Sequence, residues 1–152
     1  VERREQFAVV LVDVDSFKAF NDTYGHQVGD DCLRRISAML RASLRFATDR
    51  VARMGGEEFM VVLPRTSIED AWTIGERMRR SVYDLQIPHA GSPTTRMVSI
   101  SAGVSAYSAS ASPAQVIADA DKALYRAKVS GRNRVEMASS TAADHPRLSV
   151  PA

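Results

Sequence analysis

Residues 7–12 form an unbroken apolar run, the pattern of a strand buried on both faces. A polar stretch follows, where Asp15 or Ser16 is placed to cap a short segment that turns Phe17 and Phe20 inward. From 28 to 44 the apolar positions Val28, Leu33, Ile36, Leu40 and Leu44 fall at helical spacing, with Arg34, Arg35, Arg41 and Arg45 mostly on the wet face. Two short runs come next, 50–54 and 59–63, split by Gly55-Gly56 and two glutamates. Glycine's access to positive φ makes this a tight hairpin with carboxylates at its tip, and Pro64 ends its second strand. Ala71, Ile74, Met78, Val82 and Leu85 mark a second amphipathic helix, and 88–95 reads as a loop. Val98, Ile100, Ala102 and Val104 alternate with smaller residues, which predicts a half-buried strand. Ser112 as N-cap, Pro113 in the first turn and Gln115 completing a capping box open a helix. It carries Val116, Ile117, Ala120, Ala123, Leu124 and Ala127 inward and stops at Ser130-Gly131, a left-handed C-cap. A short strand is expected near Val135.

The order β-α-α-β-β-α-β-α, with a final strand, defines an α+β chain with a hairpin set among alternating elements. The expected architecture is a ferredoxin-like or polymerase-palm-like sandwich, a central mostly antiparallel sheet flanked by helices. One domain over 1–137 accounts for the core, and the small, polar residues 138–152 predict a disordered tail.

Composition narrows the function. Twenty basic against 18 acidic residues leave a net charge of +2. That is too even for a nucleic-acid binder but leaves small anions open, since a few placed basic groups suffice for a phosphate. A single cysteine, Cys32, excludes an internal disulfide and points to a reducing compartment, and it reads as a small buried hydrophobe. No apolar run approaches the roughly 18 residues a membrane helix needs, so this domain is expected to make no membrane contact. The strand begins almost at the first residue, which suggests a piece of a longer protein.

The acidic residues supply candidate chemistry. Alternation along an extended chain sets Asp13 and Asp15 on one side of the backbone, where they either hold a metal or cap the following helix. Magnesium takes hard oxygen ligands, so one or two carboxylates plus substrate phosphates are enough. Glu57 and Glu58 sit at the hairpin tip, where adjacent strand residues point to opposite faces unless a turn or bulge intervenes. Gly55-Gly56 leaves the backbone there bare and open to close approach. If the opening strand neighbours the hairpin, Asp13 and a glutamate converge in the pattern of metal-assisted phosphoryl or nucleotidyl transfer.

Three ordered motifs resemble those of one family. Met54-Gly55-Gly56-Glu57-Glu58-Phe59 is similar to the signature of the GGDEF family, the diguanylate cyclases, in its Gly-Gly-Glu-Glu-Phe form. The stretch Asp13-Val14-Asp15-Ser16-Phe17-Lys18, continuing through Asn21, Gly25-His26 and Gly29-Asp30, resembles its other long signature. Ala123 to Asn133, with Tyr125, Lys128, Gly131 and Arg132, resembles its C-terminal helix and loop. The likeness spans about 7–137.

The resemblance implies condensation of two GTP into cyclic di-GMP with loss of two pyrophosphates, in a homodimer whose two sites face each other. It implies two Mg2+ or Mn2+ ions per site, held by Asp13, the Val14 carbonyl, Glu57 and Glu58. Glu57 activates the ribose 3′-hydroxyl, with Glu58 and Lys18 as further catalytic groups. The Phe17 N–H, Lys18, Lys128 and Arg132 face phosphates, the bare Gly55 and Gly56 border the nucleotide, and Asn21 and Asp30 read guanine. A carboxylate accepts from guanine's N1–H and amine, which adenine does not match. His26 falls among the substrate-binding residues by its position, although a structural hydrogen bond is its simpler role. An upstream sensory segment and a cytoplasmic site of action are also implied.

Two departures stand out. The family's Arg-x-x-Asp inhibitory site keeps its acid in Asp49, but Phe46 occupies the arginine position and Arg45 lies one residue off. Arg77 resembles a secondary arginine of that site, yet the primary contact is missing, so feedback inhibition is expected to be weak or absent. The family's leading segment before the first strand is missing. The rival readings are a catalytically silent domain that binds GTP or cyclic di-GMP, a protein-interaction module, and a cyclase of altered base choice.

Overall fold

The apolar run forms β1 (Phe7–Val14), and the remaining elements are arranged around its two buried faces. The computed structural model describes residues 6–107 and 111–139. After β1 come α1 (Phe17–Tyr24), α2 (His26–Ala42), β2 (Arg50–Gly55), β3 (Glu58–Pro64) and α3 (Ile68–Tyr83). β4 (Ile100–Ala106), α4 (Pro113–Val129) and β5 (Val135–Met137) complete the chain. The five strands lie in the order β2-β3-β1-β4-β5. β1 pairs antiparallel with both β3 and β4, and β5 adds to β4 in parallel. The sheet is therefore mixed but mostly antiparallel, and β1 to β4 follow the interleaved ferredoxin-like order.

Alternation decides which face each residue serves. Ala8, Val10, Val12 and Val14 join the larger core with Phe20, Ile36, Leu40, Ile74 and Met78 from α1, α2 and α3. Val9, on the opposite face, packs with Val116 and Ala120 of α4 and with Tyr107. Each face is thus covered, which explains a difference from the sequence reading. β4 is buried along nearly its whole length rather than half-buried, because α3 lies on one side of it and α4 on the other. The approach of α4 is close at Gly103, where a Cβ would stand 2.1 Å from the Ala120 carbonyl oxygen. No side chain fits there.

Two apolar positions are not inward. Val28 is 46% exposed, because it lies five residues before Leu33 and so falls off the buried stripe; Gly29 takes the inward place. Ile117 is 40% exposed, about 100° around the helix from buried Val116. Ser112 caps α4 as expected, accepting from the Gln115 N–H, and Ser67 caps α3 in the same way, accepting from the Asp70 N–H. The Gln115 amide, however, donates forward to Asp119 (2.9 Å) instead of closing a capping box. At α1 the N-cap Ser16 sits in the left-handed region (φ 52) and makes no side-chain cap, and Asp15 is engaged elsewhere. After β5, Ala138 is buried and its N–H donates to the Val104 carbonyl (2.8 Å). Ala138 thus packs with the domain although the tail was expected from 138, and the rest of that expected tail, from 140 onward, lies outside the described residues. No described helix is long and apolar enough to cross a membrane.

Candidate active site

The site forms where β1 leaves the sheet. The β1–β3 register sets Asp13 directly opposite Glu58, so the two side chains share the face covered by α4. Glu57 precedes β3 in the turn, and its carbonyl accepts from the Val14 N–H (3.1 Å), which pins the hairpin tip to the end of β1. The turn itself needs glycine: Gly56 has φ 54 and Gly55 φ 151, and the β2–β3 register shifts at this point. That irregularity frees the two adjacent glutamates from strict alternation.

Asp13 is 6% exposed, and Lys128 from the last turn of α4 forms an ion pair with its Oδ2. Burial pushes its carboxyl above the ordinary range; the hydrogen bond and charge of Lys128 oppose this, and the charges of Glu57 and Glu58 add to it. The acidic end of β1 is therefore crowded and incompletely neutralised. A cleft of about 200 Å³ opens here, lined by Asp13, Val14, Phe17, Glu57 and the cations Lys18, Lys128 and Arg132. Lys18 is 90% exposed and pairs with Asp22 (3.2 Å). The start of α1 also faces this cleft, and a helix start offers amides without an intrahelical acceptor.

A second hollow of about 360 Å³ is lined by Asp30, Leu33, Arg34, Arg41, Arg53 and Phe59. Asn21 lies close behind Asp30: its Oδ1 is where a Cβ of Gly29 would stand, and this buried oxygen has no hydrogen-bond partner. His26 is exposed at the start of α2 and lines neither hollow, and Glu58 is exposed beside the first.

Two further residues belong to this region. Arg53 lines the second hollow and donates through Nε to the Gly56 carbonyl (2.8 Å). Only its position two residues before the diglycine hints at this. Asp15 does not act as a twin of Asp13. Beyond the end of β1 its carboxylate turns inward and accepts from Ser99, Ser101 and the Asn133 N–H.

The inhibitory-site residues lie apart from the cleft. Asp49 is 4% exposed, and its Oδ2 accepts from the backbone N–H groups of Arg45 (3.0 Å) and Phe46 (3.1 Å). Arg77 donates to the Ser43 carbonyl (3.3 Å). Cys32 is buried, which raises its thiol to about 11 and makes it a poor nucleophile.

Among the described residues no three His, Cys, Asp or Glu side chains are grouped to hold a metal ion. The donors at the end of β1 nevertheless suit a hard cation. Asp13, Glu57, Glu58 and the Val14 carbonyl all offer hard oxygen donors, and the charge repulsion on Asp13 is of the kind a cation relieves. Lys128 stands in for that positive charge. Phosphate oxygens or water would complete the coordination.

Fold and cleft together define an α+β palm-like domain with a cleft of acidic and basic side chains at one end of the central strand. Residues 1–134 match the family model described as "Diguanylate cyclase, GGDEF domain", and the chain belongs to that family. It is 41% identical over 140 residues to diguanylate cyclase A of Treponema denticola, covering 91% of this chain and 37% of that protein. The GGDEF domain of DgcB from Caulobacter crescentus, solved with c-di-GMP, superposes with a TM-score of 0.78 at 31% identity, over 88% of this chain and 78% of that one. The active GGEEF domain of a diguanylate cyclase from Vibrio cholerae gives 0.76 at 29% identity, over 91% and 86%. The chain spans between 19% and 37% of the length of the first curated relatives it matches.

Proposed function

We infer that this domain is a diguanylate cyclase, condensing two GTP into cyclic di-GMP with release of two pyrophosphates. The observation that carries the reading is the meeting of Asp13 with Glu57, Glu58 and Lys128 at the end of β1, beside a cleft lined with cations. Family membership and the names of the relatives support it. A silent GTP- or cyclic di-GMP-binding domain is the alternative; the full set of acidic, basic and base-reading residues favours catalysis.

Two of these domains face each other about a two-fold axis, because one site holds one GTP and each 3′-hydroxyl must reach the opposite nucleotide. The 3′-oxygen forms a bond to the opposite α-phosphorus as the bond from that phosphorus to pyrophosphate breaks. Glu57 takes the hydroxyl proton. Lys18, Lys128, Arg132 and the Phe17 N–H hold the phosphates and offset their charge. Asn21 and Asp30 read guanine, with the bare Gly55-Gly56 backbone bordering the nucleotide. Asp13, Val14, Glu57 and Glu58 would hold two Mg2+ or Mn2+ ions, which when bound lower the charge on the attacking and leaving oxygens. In a longer protein an upstream sensory segment would bring the two copies together, with this domain facing the cytoplasm.

The test is to incubate concentrated protein with GTP and Mg2+ and to measure pyrophosphate and cyclic di-GMP. Wild type should form both, and Glu57→Gln should form them at least ~100-fold more slowly. GTP binding without product by wild type would establish the silent alternative instead.

A further inference from the structure

Asp15 has no part in the reaction proposed above, yet it is buried to 4% exposure beside the cleft. A carboxylate so placed is costly unless donors replace its water. Three do so. Ser99 Oγ donates to Oδ2 (2.7 Å), Ser101 Oγ to Oδ1 (2.6 Å), and the backbone N–H of Asn133 to Oδ2 (3.0 Å). The serines come from the entry to β4 and from β4 itself, and Asn133 comes from the loop between α4 and β5. One carboxylate thus ties the approach to α1, the β4 strand and the C-terminal loop.

The loop it grips is unfavourable backbone. Gly131, Arg132 and Asn133 have φ of 127, 63 and 49, so two residues other than glycine sit consecutively in the left-handed region. Such a conformation persists only where its surroundings fix it. On one side the Arg132 N–H donates to the Ala127 carbonyl (2.9 Å). On the other, Asn133 is held twice, by its N–H on Asp15 and by its Oδ1, which accepts from Arg79 (3.1 Å). Arg132, which lines the cleft, lies between these anchor points.

The geometry points to Asp15 as a positioning residue that sets the Arg132 guanidinium over the phosphates of a bound nucleoside triphosphate, acting through the Asn133 backbone amide. Ser99 and Ser101 fix the carboxylate, and Asp15 itself touches no substrate. This rests on the nucleotide reading of the cleft.

A double-mutant cycle of Asp15→Asn with Arg132→Ala tests it, read as equilibrium GTP affinity by calorimetry with Mg2+, as KM and kcat separately, and as Tm. Asp15→Asn should weaken GTP roughly tenfold, chiefly through KM, and should add less than ~2-fold once Arg132 is already alanine. Losses that multiply independently in the two backgrounds, or a fall in Tm with unchanged GTP affinity, would overturn the assignment and leave Asp15 a stability residue only. Should Asp15→Asn not fold, the Ser99→Ala/Ser101→Ala pair, which leaves the Asn133 bond in place but frees the carboxylate, enters the same cycle and is judged by the same coupling. Wild type that binds GTP without making cyclic dinucleotide defeats the cyclase reading alone, because the cycle in affinity still decides the role of Asp15. Wild type that binds no GTP overturns both.

Discussion

At two places this chain sets a buried aspartate among basic side chains, and the outcomes are opposite. In the turn after α2, Asp49 is used by its own fold: its Oδ2 caps two backbone amides, Arg45 reaches away to Thr66 (2.9 Å), and Arg77 goes to the Ser43 carbonyl. Phe46, in the family's arginine position, lies exposed beneath the Arg45 guanidinium, 4.8 Å from its ring centre. At the end of β1, Asp13 faces two more carboxylates and a lysine, and its charge is incompletely compensated. A carboxylate with one oxygen held by nearby backbone amides, as Asp49 is although its buried Oδ1 has no hydrogen-bond partner, is a structural cap. One left in electrostatic conflict beside an open cleft gains from a ligand. Burial is nearly the same in the two places, at 4% and 6%, so partners rather than exposure separate structure from function.

The sharpest way to break this contrast is Lys128→Ala. It leaves Asp13 without its cation and removes from the cleft a cation proposed to hold phosphate. Turnover should fall by ~100-fold or more. Because Lys128 is about a third exposed, solvent takes up part of the lost pairing, and Tm should move by only a few degrees. Turnover within a few-fold of wild type, measured as pyrophosphate release, would mean that the cleft is not where the reaction occurs.

Asp49→Ala should show the reverse pattern. Two amides in the turn lose their acceptor, which costs about 1–3 kcal/mol, and thermal unfolding should register it. Turnover per folded molecule and inhibition by added product should stay unchanged, since no arginine at position 46 completes that site. Tight product binding that Asp49→Ala abolishes would erase the distinction between the two regions.

Much of this was legible from the residues. The apolar run at 7–12, the diglycine hairpin and the Ser112-capped helix follow from local physics, and the conditional pairing of the opening strand with the hairpin is met by the β1–β3 register. The base-reading and phosphate-facing roles proposed for Asn21, Asp30, Lys128 and Arg132 rest only on the family resemblance, because nothing in their spacing names a ligand. Periodicity erred where it was stretched. Val28 was included although Gly29 holds the inward position, and Ile117 although Val116 does. Asp15 was misread for a deeper reason. Alternation states which side a residue takes while the strand lasts, but β1 ends at Val14, and the donors that capture Asp15 lie 84 to 118 residues further on. Contacts that distant leave no local pattern.

The smallest expected effect probes α3, which reaches both regions: Arg77 toward the Ser43 carbonyl in the turn, Arg79 toward Asn133 in the loop behind the cleft. Glu76 holds Arg79 through two oxygens, at 2.6 and 3.0 Å. That hydrogen bond from Arg79 keeps the Glu76 carboxyl below its ordinary range, with Arg80 assisting and burial opposing. A carboxyl with a depressed folded value stabilises the fold above its unfolded pKa, and that stability is lost as pH falls through the folded value. Glu76→Gln should therefore cost about 1 kcal/mol near neutrality, a shift of about 2–8 °C in Tm. The gap to wild type should narrow steadily as the pH drops below about 4.3, the ordinary glutamate value. A gap that stays constant down to pH 3 would assign the loss to packing. If the pair serves the cleft side of α3, the variant should also raise the KM for GTP about two-fold, the scale of a weakened indirect contact, and leave kcat in place. An equal effect on the stability of the Asp49→Ala background and of wild type would show that α3 supports the loop behind the cleft independently of the turn.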